Sequence, residues 1–180
     1  CIEKKPLMHS RQIKDLMHDV LNQALERYEF ELVSYSIMDN HFHFCIKTTK
    51  NGETISRIMQ FIKSQFARRY NRMMDRTGPF WNERFTNLIV EQTADPIQTF
   101  WNVFMYVEYN PVKSKYVADP RRYPYGGFRA YVDRDYVPPV PVTLSEYFQK
   151  LGDTFEERVA KLLEYEERYR KRIFPESLFM

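Results

Sequence analysis

Apolar residues recur at helical spacing along two long stretches of the chain. Within residues 10–28 they follow the i, i+3, i+4, i+7 pattern of an amphipathic helix, and Ser10 is placed to cap its start. Within residues 53–74 the same spacing gives one apolar stripe, with the charged side chains away from it. We therefore predict two helices that each pack one face against a core.

Between these two helices the apolar side chains alternate instead. Residues 29–38 and 41–48 carry aromatic and β-branched side chains with a period of two, which is typical of half-buried strands. The pair Asp39-Asn40 between them is a tight-turn signal. We expect these two strands to form an antiparallel hairpin.

The next part of the chain is expected to add a third strand and a third helix. Apolar residues at 88–90 predict a strand over residues 86–92. Asp95 has the features of a helix N-cap, with Pro96 in the first turn. The helix is expected to end near Pro111, because a proline disfavours helical geometry in the residue before it. Its predicted core stripe consists of Ile97, Phe100, Trp101, Phe104 and Met105.

The order of these elements predicts an α+β fold. With one strand placed before Cys1, the chain would follow the ferredoxin-like split βαβ plan, an antiparallel sheet with helices on one face. Beyond Tyr116 the periodicity is lost, and residues 118–142 are expected to form an irregular, proline-rich connection. Residues 143–180 have the pattern of short, charge-balanced helices. We predict that they form a C-terminal appendage to a domain made by residues 1–117.

The composition is typical of a globular chain in a reducing compartment. Apolar residues make up 43% and aromatic residues 16% of the chain, enough for a core. Two cysteines give no disulfide framework, no apolar run approaches the roughly 18 residues of a membrane span, and no secretory signal is present, so we expect a cytoplasmic protein with no membrane partner. The five glycines fall at predicted breaks and form no phosphate-binding loop, which disfavours a nucleoside triphosphatase.

Two histidines share one face of the second predicted strand. Because side chains alternate along a strand, His41 and His43 point to the same side as Cys45, and the two imidazoles lie roughly 7 Å apart. Structural zinc is disfavoured, since the only thiols are those of Cys1 and Cys45. A site with two histidines and room for water suits Mg²⁺ or Mn²⁺. The alternative is that this spacing arose by chance.

The third predicted helix places a phenol and an amide on the side away from its core stripe. At about 100° per residue, Tyr106 points away from the stripe and Asn110 stands on the same side one turn later. An exposed tyrosine and an asparagine before a proline are both ordinary surface features, so this pair alone does not establish a site. Tyr109, the rival phenol, lies about 60° toward the core.

Positive charge is concentrated in the second predicted helix, although the net charge is only +3. Between residues 57 and 76 a single acid, Asp75, accompanies the bases. The bases are Arg57, Lys63, Arg68, Arg69, Arg72 and Arg76. Such a face indicates contact with phosphates, and a solvated charged surface is the alternative.

Three stretches together resemble one family. Residues 38–44 (MDNHFHF) resemble a block of the form MPNHxHL, with Asp39 in place of the usual proline. The second predicted helix and residues 78–85 (GPFWNERF) resemble a helix followed by a WQxRF segment, and residues 106–113 (YVEYNPVK) are similar to a YIxxNPV(R/K) block. Over roughly residues 1–131 the chain resembles the REP-associated tyrosine transposases, which are single-tyrosine enzymes of the His-hydrophobe-His class.

The resemblance implies a chemistry and a set of site residues. In that family a tyrosine attacks a DNA phosphodiester, which leaves a 5′-phosphotyrosine link and a free 3′-OH that later reverses the bond. Matched residue by residue, the nucleophile would be Tyr106. The ligands of a divalent ion, Mg²⁺ or Mn²⁺, would be His41, His43 and Asn110. Residues 1–117 would then be the catalytic domain.

The resemblance also implies a nucleic-acid partner. The family acts on single-stranded DNA hairpins, and the bases of residues 57–76 together with Trp81 and Arg84 would hold the strand. Trp81 or Phe80 would stack on nucleotide bases, with core packing as the alternative for either ring. We expect a monomer or a homodimer.

Two other functions stay open at this point. One is a domesticated, non-cleaving protein that binds hairpins of single-stranded DNA or RNA. The other is an RNA-binding ferredoxin-like module, which is disfavoured because the predicted strands lack paired exposed aromatic residues.

Overall fold

The computed structural model describes residues 5–82 and 84–175 of the chain. In chain order the elements are helix α1 (Arg11–Arg27), strands β1 (Phe30–Ile37) and β2 (Phe42–Thr48), and helices α2 (Ile55–Met73), α3 (Pro96–Lys113), α4 (Arg129–Val132), α5 (Glu146–Gln149) and α6 (Phe155–Ile173). A strand before Cys1 would lie outside the described residues. None of the described helices has the length and apolar character needed to cross a bilayer.

The long helices begin where the capping residues predict. The Ser10 hydroxyl accepts a hydrogen bond from the backbone N–H of Ile13 at 3.3 Å, and Asp95 accepts one from the N–H of Gln98 at 2.9 Å. Each cap satisfies a backbone donor that has no partner within the helix. The predicted starts of α1 and α3 are therefore confirmed.

The sheet is the predicted antiparallel hairpin. Ile37 lies opposite Phe42 and Phe30 opposite Thr48, with a shift of register between Leu32 and Ser34. Among the described residues β2 pairs only with β1. The mixed α+β class with a split βαβ layout is confirmed.

The two faces of the sheet pack against different helices. Phe42, Phe44 and Ile46 contact the core formed with α1 and α2, whereas Cys45 contacts the core formed with α3. Helix α3 therefore lies on the face that also carries His41 and His43, and α1 and α2 lie on the opposite face.

The prediction of a third strand over residues 86–92 is wrong. Residues 84–89 have no regular structure, and Val90–Gln92 form one turn of 3-10 helix. Leu88 and Ile89 are 60% and 46% exposed. A short apolar run forms a strand only when a neighbouring strand satisfies its backbone groups, and no described strand pairs with this segment.

Helix α3 differs from its prediction at its C-terminal end and in the burial of one stripe residue. It continues through Pro111 to Lys113, although a proline cannot donate a hydrogen bond to the carbonyl of Val107. Burial of Tyr109, Asn110 and Pro111 holds this last part in place. Ile97, predicted to belong to the core stripe, is 59% exposed, while the other four stripe residues are buried.

Helix α6 packs along α3. The Trp101 and Tyr165 rings stack with their centroids 4.8 Å apart, and the Tyr109 hydroxyl donates to Glu166 at 2.6 Å. Arg121 forms an ion pair with the same carboxylate at 2.5 Å. Aromatic rings from α3, α4, α5 and α6 thus share one core.

Candidate active site

The turn before the histidines is fixed by a lysine from α1. Lys14 is buried, and its ammonium lies 2.8 Å from Asp39 and donates to the Tyr123 hydroxyl at 3.1 Å. The Tyr123 hydroxyl in turn donates to the carbonyl of Ile37 at 2.6 Å. Hydrogen bonds to Lys14 and Tyr116 lower the pKa of Asp39, against the opposing effect of its burial. The ion pair therefore ties α1 to the hairpin turn two residues before His41.

The two imidazoles lie side by side at the end of β2. The ring centroids of His41 and His43 are 4.9 Å apart and the rings are nearly perpendicular. His41 Nδ1 is 2.6 Å from the side-chain oxygen of Asn40, and in the tautomer that donates from Nδ1 to this oxygen the Nε2 lone pair is left for a ligand. This arrangement holds the His41 ring in one orientation.

Asn110 reaches the histidines from α3. Its side chain is buried, and its Nδ2 is 3.1 Å from Nε2 of His43. Burial lowers the pKa of His41, although a hydrogen bond to Asn110 opposes that effect. Burial, with the neighbouring His41, lowers the pKa of His43 to about 4. Both rings are therefore neutral at neutral pH, which is the form that binds metal ions.

These three side chains are suited to hold a divalent cation. Asn110 Nδ2 faces Nε2 of His43, and a rotation of the amide by 180° would place its oxygen there instead, so the candidate ligands are two imidazoles and one amide oxygen. Over residues 5–82 and 84–175, no group of three His, Cys, Asp or Glu residues has a metal-binding arrangement. The three candidate ligands His41, His43 and Asn110 are themselves neutral, so phosphate oxygens of a substrate could supply negatively charged ligands.

Tyr106 lies next to the histidines in the same chain. It is 41% exposed, and its ring centroid is 5.1 Å from that of His43. The Lys113 ammonium sits 5.2 Å from the centre of the Tyr106 ring. Tyr109, the rival phenol, is buried, and desolvation together with its hydrogen bond to Glu166 raises its pKa above the ordinary range.

The predicted DNA-binding residues of α2 lie on the other side of the sheet, and several already have partners. Arg57 pairs with Glu53 at 3.4 Å and Arg69 with Asp19 at 3.2 Å. Arg76 donates to Asn71 and to the carbonyl of Pro79, which closes the end of the helix.

The other predicted DNA-binding bases of α2 are Lys63, Arg68 and Arg72. Arg68 and Arg72 are exposed, and neither forms an ion pair within the described residues. Lys63 lies 5.6 Å from the centre of the Trp81 ring, and burial lowers its pKa. Only part of the predicted basic face is therefore available to a ligand.

The aromatic pair after α2 packs in the core. Phe80 is buried, and the indole N–H of Trp81 donates to the carbonyl of Lys63 at 2.9 Å. The Trp81 ring lies 5.3 Å from that of Phe42 and 5.5 Å from that of Phe66. Core packing, the alternative considered above, accounts for both rings. Arg84 is exposed in the irregular segment that follows.

Two residues of the site carried signals that sequence reasoning did not use. Lys14 lies within the apolar stripe of α1, three residues before Met17, and a charge in such a position indicates a buried partner. Lys113 lies seven residues after Tyr106, which places the two on one side of a helix two turns apart.

Comparison with known proteins agrees with this geometry. The family model described as "Transposase IS200 like" matches residues 1–109. A protein of Haemophilus influenzae named "Putative REP-associated tyrosine transposase" is 28% identical over 125 residues, which cover 64% of this chain and 69% of that protein. No solved structure matches the chain significantly. The match over residues 1–109, which include both histidines and Tyr106, shows that the chain belongs to the family of IS200-like transposases.

Proposed function

We propose that the protein cleaves and rejoins single-stranded DNA that contains a hairpin, with Tyr106 as the nucleophile. The observation that carries this proposal is that the Tyr106 ring lies 5.1 Å from His43, which itself contacts Asn110. A nucleophile and three candidate ligands thus meet within one chain. We therefore also propose that the tyrosine acts in its own subunit, so that one chain suffices for the reaction.

Tyr106 and Lys113 have different roles in the proposed reaction. In the first step the Tyr106 oxygen bonds to phosphorus, the phenol proton passes to solvent, and the bond to the 3′ oxygen breaks. That oxygen leaves with the bonding electrons and takes up a proton. Lys113, 5.2 Å from the ring centre, favours the negative charge that develops on the phenol oxygen. In the rejoining step a 3′-OH attacks the phosphotyrosine, and the bond to the tyrosine breaks.

His41, His43 and Asn110 would hold a Mg²⁺ or Mn²⁺ ion. When bound, such an ion polarises the phosphate oxygens and offsets the charge that develops in the transition state. The neutral imidazoles and the amide leave coordination positions open for water and for the phosphate. The covalent bond conserves the energy of the phosphodiester, so the reaction needs no nucleotide cofactor.

The test is the formation of a covalent adduct. Wild type, Tyr106→Phe and Tyr109→Phe are incubated with an end-labelled single-stranded hairpin and Mg²⁺ or Mn²⁺, and the products are separated under denaturing conditions. We expect an adduct with wild type and with Tyr109→Phe, and none with Tyr106→Phe. Binding without an adduct in wild type would overturn the proposal in favour of a non-cleaving hairpin-binding protein.

A further inference from the structure

A row of polar side chains runs along α3 from the site toward the start of the helix. Gln98, Asn102, Tyr106 and Asn110 are spaced four residues apart and therefore lie on one side of the helix. The Gln98 amide nitrogen donates to the side-chain oxygen of Asn102 at 3.3 Å. With a rise of about 1.5 Å per residue, Asn102 is about 6 Å and Gln98 about 12 Å from Tyr106 along the axis. The row thus leads directly away from the candidate nucleophile.

Two arginines of α6 border this row. Arg172 donates from Nη2 to the side-chain oxygen of Asn102 at 3.1 Å, and its guanidinium lies 5.0 Å from the centre of the Tyr169 ring. Arg168 lies 4.5 Å from the centre of the Tyr165 ring. Gln98 and Asn102 of the row, together with these α6 side chains, line a cleft of about 90 Å³ between the two helices. Both guanidiniums thus lie over tyrosine rings of the same helix.

Tyr169, which lines the cleft, lies near enough to the candidate nucleophile to interact with it electrostatically. Burial raises the pKa of Tyr169, and the nearby phenol of Tyr106 contributes in the same direction, after the opposing effect of Arg172. Tyr169 also packs edge-on against Tyr109, with ring centroids 5.4 Å apart. The cleft and Tyr106 thus lie on neighbouring parts of α3, with Asn102 one turn from Tyr106.

The charges of these two arginines are not neutralised by the protein. Elsewhere on α6, Lys161 pairs with Glu164 at 3.2 Å and Lys171 with Glu167 at 2.8 Å. Arg168 and Arg172 instead contact a backbone carbonyl and an amide oxygen, and neither forms an ion pair within residues 5–82 and 84–175. Guanidiniums held by neutral partners keep their charge for an external anion, and their planar donors match a phosphate.

We propose that the arginine cleft, made by Gln98, Asn102, Arg168 and Arg172, binds the phosphates of the single strand that continues from the scissile phosphate. This inference rests on the function proposed above. It assigns to the C-terminal helix a role in holding the substrate, in addition to any contact with the exposed bases of α2. The cleft would fix one flank of the strand while Tyr106 acts on the phosphate beside it.

The affinity of the protein for single-stranded DNA tests the role of the arginine cleft, and this measurement does not require DNA cleavage. In a Tyr106→Phe background, the affinity for a labelled single-stranded oligonucleotide is measured over a series of salt concentrations for Arg168→Gln/Arg172→Gln. The matched control is Lys161→Gln/Lys171→Gln, which removes the same net charge from the same helix. Glutamine retains part of each side-chain stem, and a thermal melt of each variant checks the fold.

The arginine pair and the lysine pair are expected to differ in their effect on DNA affinity and on its salt dependence. Loss of two phosphate contacts should weaken binding about tenfold and reduce the slope of log affinity against log salt by about 1.4, since each contact to a single strand contributes about 0.7. The control should change the slope by much less. Equal effects of the two pairs, or no effect of the arginine pair, would overturn the proposal.

Cleavage of nested substrates provides the second test. Wild type and the arginine variant, both with Tyr106 intact, are compared on oligonucleotides that are shortened from one side of the cleavage position or from the other. We expect the variant to form the adduct more slowly on the long substrate and at the wild-type rate once the strand on one side is removed. An equal loss on every length would contradict a role in holding the flank. If wild type forms no adduct at all, the proposed chemistry fails, and the binding comparison still decides on the cleft.

Discussion

A buried carboxyl on α3 makes the stability of the protein depend on pH. Glu108 lies between Tyr106 and Asn110 in sequence but on the core side of the helix, and it is 2% exposed. The Ser34 hydroxyl donates to it at 2.7 Å, and the backbone N–H groups of Gly127 and Phe128 contribute further hydrogen bonds. Burial outweighs these donors and raises the pKa of Glu108 to about 8.

The sign of the effect follows from the direction of this shift. Between an ordinary carboxyl pKa and about 8, folded Glu108 keeps a proton that the unfolded chain has released. Raising the pH therefore favours the unfolded chain, until the folded carboxyl also ionises. At about 1.4 kcal/mol per pH unit over most of this range, Glu108 should lower the free energy of unfolding of wild type relative to Glu108→Gln by about 2 kcal/mol between pH 6.5 and 8.5.

The measurement is urea unfolding of wild type and Glu108→Gln at several pH values between 6.5 and 8.5. Burial lowers the pKa values of His18 and His43 to about 4, against about 6.5 in an unfolded chain, so both histidines still affect stability near pH 6.5. Their contribution is the same in the two proteins and cancels in the comparison. Glutamine is neutral at every pH and of similar size, so the variant should lack the decline. Parallel profiles for the two proteins would refute the reasoning, because Glu108 would then be ionised in the folded protein.

Three further predictions concern the site itself. His41→Ala should abolish formation of the covalent adduct while reducing the affinity for single-stranded DNA less than threefold, and an equal loss of adduct and binding would contradict this separation of roles. Lys14→Met should lower the free energy of unfolding by about 1–2 kcal/mol, because Asp39 is left without its cation in a partly buried position. Adduct formation by that variant, measured well below its unfolding midpoint, should also fall, whereas a wild-type rate would show that the turn does not need this support. Asn110→Asp should lower the Mn²⁺ concentration needed for half-maximal adduct formation, because a carboxylate replaces a neutral ligand, and an unchanged requirement would exclude Asn110 from the cation site.

The elements that the sequence predicts correctly depend on local signals. Ser10 and Asp95 mark helix starts because a cap acts on backbone groups only three residues away. The hairpin follows from alternation and from its turn residues. The strand predicted over residues 86–92 does not form. A strand needs a neighbouring strand to pair with, and a short stretch of sequence does not show whether one is present. Pro111 lies inside α3 because the tertiary packing around Tyr109 outweighs the cost of one lost hydrogen bond.

The distinction between local sequence signals and long-range contacts also applies to the candidate site. The spacing of His41 and His43 and that of Tyr106 and Asn110 are visible in the sequence, because two residues on a strand or four on a helix already share a side. The meeting of the two pairs was predicted only through resemblance to a family. The contact between Asn102 and Arg172 joins residues far apart in the chain, and a charge-balanced helix gives no sign of which bases remain unpaired.

The shared aromatic core of α3 and α6 has a practical consequence for any attempt to make a smaller enzyme. Trp101 and Tyr109 are each at least 97% covered, and α6 contributes to that cover through Tyr165, Glu166 and Tyr169. A protein cut before α6 would expose those rings to water on the back of the very helix that presents Tyr106. Truncation should therefore give an aggregating fragment, and efforts to shorten the protein would do better to trim the surface loops than the C-terminus.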